Sequence, residues 1–228
     1  MDFMNLLKSV EALLYELVSW FVFYPLTLWR CLRHPLRMMA YAQRELADKP
    51  EEQFVDALSP PFFLFLTIVI AHLINLGFGA PTPAAGGIFA DTRNLLILRA
   101  VAFSLFPLIL AVETVRQAGA VLNRSTLRPA FYSQCFIAAP FILSIDLALT
   151  IALHGGKVHG VIGLCVVLAG LGWYLAALTA WFAERRASGR LPALARAVLF
   201  VALGTVALLT ALVVAGLSSA IGGADSVA

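Results

Sequence analysis

The sequence predicts an all-α fold: a polytopic membrane bundle of five transmembrane helices preceded by amphipathic helices. Three observations predict it. Hydrophobic residues make up 61% of the 228 and charged residues only 13%, against about 25% charge in soluble domains. Mean hydropathy is +0.90, more apolar surface than one small globule can hide. Apolar runs of about 20 residues, the length that crosses hydrocarbon, recur at about 58–79, 95–117, 130–153, 159–183 and 194–221.

The chain divides into an N-terminal amphipathic and basic region (1–57), the five-span bundle (58–221) and a short tail (222–228). In the first region, Asp2, Asn5, Ser9, Ala12, Glu16 and Ser19 recur at three- and four-residue spacing, one face of a helix. Phe3, Leu6, Leu7, Leu13, Leu14, Leu17 and Phe21 occupy the other face. The positive charges follow this segment instead of preceding it, unlike a signal peptide. It reads as an interfacial helix, with a helix–helix contact in an oligomer as the rival, and Pro25 ends or kinks it.

Downstream, Arg30, Arg33, Arg37 and Arg44 fall within an arc of roughly 60° on a continued helix, and Pro35 interrupts that register. A basic stripe beside a membrane attracts anionic headgroups, so membrane lipid is the first expected partner. Plain positive-inside topology accounts for the same residues.

The stretch "KPEEQFVDALSPP" then leads into the first span. Pro50, with Glu51 and Glu52 behind it, suits the start of a short helix running to about Leu58. Ser59 is placed to cap the first span, and Pro60 and Pro61 fill its first turn, where missing N–H groups cost nothing. Asp56, Leu58, Ser59 and Pro60 resemble the Asp-Leu-x-Gly-Pro motif of the Yip domain family, the Ypt/Rab-interacting proteins and their bacterial relatives. Here the spacing is shifted and Ser stands for Gly. The layout over roughly 30–221 is similar to that family's cytoplasmic N-terminus and five clustered spans. What the resemblance implies is a non-enzymatic membrane protein.

Basic residues assign the sides. They gather before the first span (Lys8 to Lys49), after the second (Arg116, Arg124, Arg128) and after the fourth (Arg185, Arg186, Arg190, Arg196). The other connections carry one each, Arg93 and Lys157. This places the N-terminus in the cytoplasm and the C-terminus outside. Arg outnumbers Lys 13 to 3, a composition that suggests a GC-rich bacterial source and so a bacterial inner membrane.

Inside the spans, ionisable groups are costly. His72, Asn75, Arg99 and Asp146 share one depth layer in the outer third. They read either as a tie between three helices or as a site for an anion or a proton. Glu113 lies near the inner end of the second span with Arg116 and Gln117 on its face. That group is either a local ion pair or an inner vestibule, and with the outer layer it would make the two ends of a polar path. Pro107 and Pro140, at mid-span, suit kinks.

Spans four and five carry small residues at packing intervals: Gly163 and Gly170, then Gly204, Ala207, Ala211 and Ala215. Such stripes pack helices within a chain or join it to a second copy or another membrane protein. Trp20, Trp29, Tyr132 and Trp181 suit interfacial belts.

Neither a cofactor nor a metal is expected: Cys31, Cys135 and Cys165 are scattered, and His154 and His159 lack a third ligand nearby. No nucleophile–base spacing or phosphate loop is present, and the basic residues track topology rather than nucleic acid. Two functions remain: a scaffold or helper in the membrane, or a small oligomeric channel or permease using His72, Arg99, Asp146 and Glu113.

Overall fold

The structure, a computed structural model, describes residues 2–78, 92–186 and 189–224. Seven helices appear in it: α1 (Asp2–Arg33), α2 (Pro35–Glu45), α3 (Pro60–Gly77), α4 (Thr92–Gln117), α5 (Arg124–Leu153), α6 (Lys157–Arg186) and α7 (Arg190–Ala224). No strand occurs among the described residues. Most of the expected outer connection over 79–94 and the last four residues of the tail lie outside them.

Six of the helices, α1 and α3 to α7, are long and apolar enough to cross a membrane. The five expected runs correspond to α3 to α7, each shifted by a few residues at its ends. The sixth, α1, continues past Pro25 to Arg33, so Pro25 does not end it. Proline removes one hydrogen bond, and the flanking turns of this long helix hold the remainder.

α5 is the centre of the bundle. It packs against α1, α2, α3, α4 and α6, and residues 133–142 are buried on every side. Its start is fixed by a capping box: the Asn123 side chain accepts from the Thr126 N–H at 2.9 Å, while the Thr126 hydroxyl takes the Asn123 N–H at 3.1 Å. Pro107 in α4 and Pro140 in α5 lie within continuous helices, both buried.

The glycines explain how α6 and α7 approach. A Cβ on Gly163 would stand 2.7 Å from the Ala148 carbonyl oxygen of α5, and one on Gly170 would overlap the Ser144 hydroxyl. A Cβ on Gly204 would meet the Phe106 ring of α4 at 2.6 Å. These three small residues pack helices inside one chain. In the same stripe, Ala207 and Ala211 are half-buried and Ala215 is buried.

The expected helix from Pro50 to Leu58 is replaced by turns. Nine residues between prolines are too few to offset helix nucleation. Phe54 instead takes a left-handed φ of 57°. Its N–H donates to the Glu45 carboxylate, and its ring lies 6.0 Å from both Tyr41 and Tyr132.

The course of α1 is set by four contacts. Trp20 meets Phe62 with ring centroids 4.8 Å apart, and Tyr24 meets Phe63 at 5.5 Å. The Thr27 hydroxyl accepts from the Leu58 N–H at 3.3 Å, and Arg30 donates to the Asp56 carbonyl at 2.7 Å. Phe62 and Phe63 stand in the first turn of α3, and Leu58 and Asp56 in the connector before it, so this half of α1 packs on the entry to α3. Farther on, the Trp173 indole of α6 donates to the Leu32 carbonyl at 3.1 Å.

Candidate functional site

The polar layer of His72, Asn75, Arg99 and Asp146 assembles where α3, α4 and α5 meet. Arg99 of α4 pairs with Asp146 of α5, with side chains 14% and 3% exposed. Nη1 of Arg99 lies 3.4 Å from Nδ1 of His72 on α3. An arginine can only donate, so Nδ1 accepts, and the proton of a neutral imidazole sits on Nε2. Asn75 donates to the Thr150 hydroxyl at 3.3 Å, and that hydroxyl donates to the Asp146 carbonyl at 2.8 Å. The four residues singled out from the sequence therefore lie together, with Thr150 as an unforeseen fifth. Only its i+4 spacing from Asp146 hinted at that.

Two atoms in this layer are buried without a protein partner among the described residues: Nε2 of His72 and Oδ2 of Asp146. Leaving such atoms dry is expensive. The contacts join three helices and leave one donor and one acceptor unmatched.

The layer continues outward to His154, the residue that ends α5. Its Nδ1 lies 2.7 Å from the Thr150 carbonyl oxygen and its Nε2 lies 2.8 Å from the Phe78 carbonyl oxygen just past α3. Carbonyls only accept, so both contacts are hydrogen bonds only when both nitrogens carry protons, in the imidazolium. These two carbonyls hold the pKa of His154 above the ordinary histidine value. The sequence had offered His154 only as half of an incomplete metal pair with His159, because its partner Phe78 is distant along the chain.

Near the C-terminal end of α4, Glu113 is not paired with Arg116. Gln117 donates to the Glu113 carboxylate at 2.6 Å, and Arg116 is exposed. A partner four residues on shares the face of Glu113 more closely than one three residues on. Between Arg99 and Glu113, α4 advances about 21 Å. Phe103, Phe106 and Leu110 project on that same side and are buried. Phe106 packs on Phe141, with centroids 5.7 Å apart, and Phe141 stacks on Tyr174 at 4.5 Å. This aromatic layer lies between the two polar ends that the sequence suggested as one path.

The basic residues of the N-terminal region do different things. Arg30 clamps the connector through Asp56, whereas Arg33, Arg37 and Arg44 are exposed. The helix break at His34 and Pro35 divides the expected single stripe between α1 and α2. Arg33 lies 5.9 Å over Trp29. The Asp56 side chain is exposed, and it is the residue's backbone carbonyl that makes the contact. Ser59 occupies the N-cap position of α3, but its hydroxyl makes no capping bond; Pro60 and Pro61 fill the first turn as expected. Trp181, expected at an interface, is 5% exposed in the core, with Arg185 lying 4.9 Å over its ring.

Among the described residues, no group of three or more His, Cys, Asp or Glu side chains is placed to hold a metal. Compared with protein-family models, curated proteins and solved structures, the chain matches none.

Proposed function

We propose that this chain is a non-enzymatic protein of the bacterial cytoplasmic membrane, Yip-like in plan, which forms a scaffold on the inner leaflet. In this reading α3 to α7 are the five spans, and the first part of α1, to about Phe21, lies along the cytoplasmic surface. The observation that carries it is the division of α1 into an apolar and a polar face. Leu7, Val10, Leu14, Leu17, Val18 and Phe21 lie within an arc of about 100°, and all face away from the protein. Asn5, Ser9, Glu16 and Ser19 take the opposite side. That division fits a helix lying in the interface with its apolar face in the acyl chains.

Arg33, Arg37 and Arg44 are free to meet anionic headgroups, at about 1 kcal/mol each. Two measurements test this. Tags on both tips, probed with an impermeant reagent, should be reachable from opposite faces. Six spans, with α1 crossing, would bring both tips to one face and overturn the reading. Binding of anionic lipid should fall when Arg33, Arg37 and Arg44 are replaced together by Gln.

The oligomeric channel is the second reading. The unpartnered Nε2 of His72 and Oδ2 of Asp146 favour it, and the aromatic layer around Phe106 and Phe141 opposes it. Ion and solute flux in liposomes decides between them. Flux lost in Asp146→Ala and Glu113→Ala establishes the channel, and an impermeable wild-type protein removes it.

A further inference from the structure

A cavity of about 600 Å³ opens between α1, the connector before α3, and the starts of α3 and α5. That volume lies within the range of small-molecule sites, about 300–1,000 Å³. Its walls are of two kinds. Trp20, Phe62 and Tyr132 supply aromatic surface, while Glu16, Arg128 and Ser59 supply polar groups. The Arg128 guanidinium rests 5.2 Å over the Tyr132 ring. Neither Arg128 nor Glu16 forms an ion pair among the described residues, and the Ser59 hydroxyl is not used as a cap. One cation and one anion, both exposed, thus line a single cavity without an ion-pair partner among the described residues.

We propose that this cavity holds the headgroup of an ethanolamine phospholipid, with its phosphate on Arg128 and its ammonium on Glu16. The inference rests on the reading that α1 lies along the inner leaflet. The guanidinium fork matches a phosphate, and the carboxylate matches an ammonium. Trp and Tyr rings sit naturally at the depth of the glycerol and headgroups. An anionic glycerol headgroup would meet Arg128 but leave Glu16 facing negative charge. Inorganic phosphate would fill only the basic half.

Native mass spectrometry of the full chain in detergent tests the proposal, with phosphatidylethanolamine, phosphatidylglycerol and inorganic phosphate as probes. The wild type should retain phosphatidylethanolamine preferentially. Arg128→Gln should weaken that retention about tenfold, the scale of one charge-assisted contact, and Arg128→Lys should restore part of it. Glu16→Gln should abolish the preference for phosphatidylethanolamine while leaving phosphatidylglycerol bound. Equal retention of both lipids by the wild type, or unchanged retention in Arg128→Gln, would overturn the proposal. Displacement of phosphatidylethanolamine by inorganic phosphate would do the same. If instead the leaflet reading itself is wrong, both tips appear on one face, whatever the lipid data show.

Discussion

Replacing Arg99 by Leu isolates one carboxylate inside the bundle. Asp146 is 3% exposed, one of its oxygens already lacks a partner, and Arg99 is the only cation paired with it among the described residues. Breaking a buried ion pair from one side costs about 3–5 kcal/mol, because the remaining charge stays desolvated. Arg99 keeps 14% exposure, so the lower end, about 3 kcal/mol, applies. Asp146→Leu strands Arg99 similarly, but a long side chain can extend toward the surface, so its loss should be smaller. The double variant Arg99→Leu/Asp146→Leu removes both charges and should return close to the wild type. A double-mutant cycle followed by unfolding in mixed micelles should therefore give a coupling energy above about 2 kcal/mol. Single losses below about 1 kcal/mol that simply add would refute the tie between α4 and α5.

Three further outcomes follow from the same geometry. Gly163→Ala forces a methyl against the Ala148 carbonyl of α5, so thermal unfolding in detergent should show a loss of about 1–3 kcal/mol; Gly160→Ala, where nothing lies within 4 Å, is the control. His154 has a raised pKa in the folded chain, so its clamp between α3 and α5 is complete below the ordinary histidine pKa of about 6.5 and is lost as pH rises through the higher folded value. Melting midpoints measured across that range should decline with pH in the wild type and flatten in His154→Gln; parallel curves would contradict the imidazolium. Arg30→Gln removes a charged donor from the Asp56 carbonyl, at about 1.5–3 kcal/mol before screening of this half-exposed side chain, and proteolysis of the 46–59 connector should accelerate.

Much of the plan was legible because it is local. Solvent transfer of side chains marks α3 to α7 as apolar runs, and equal depth brought His72, Arg99 and Asp146 into one layer before any contact was known. The site was less legible wherever a backbone group was the partner. Arg30 looked like a lipid contact because its target is a carbonyl, which every residue carries. His154 looked idle for the same reason. Ser59 looked like a cap because the residue type permits it, and the structure leaves that hydroxyl facing a cavity. Glycine spacing announced close approach without saying to what; Ala148, Ser144 and Phe106 supply the answer.

By itself, then, the sequence determined an all-helical chain with at least five segments suited to hydrocarbon, since hydrophobic length and periodicity are properties of neighbours along the chain. Tertiary structure alone decided that α5 lies at the centre, that α1 packs on the connector and first turn of α3, and that an aromatic layer lies between the two polar ends. Those outcomes depend on which surfaces fit together across tens of residues, where shape and unsatisfied hydrogen bonds, not hydropathy, select the arrangement.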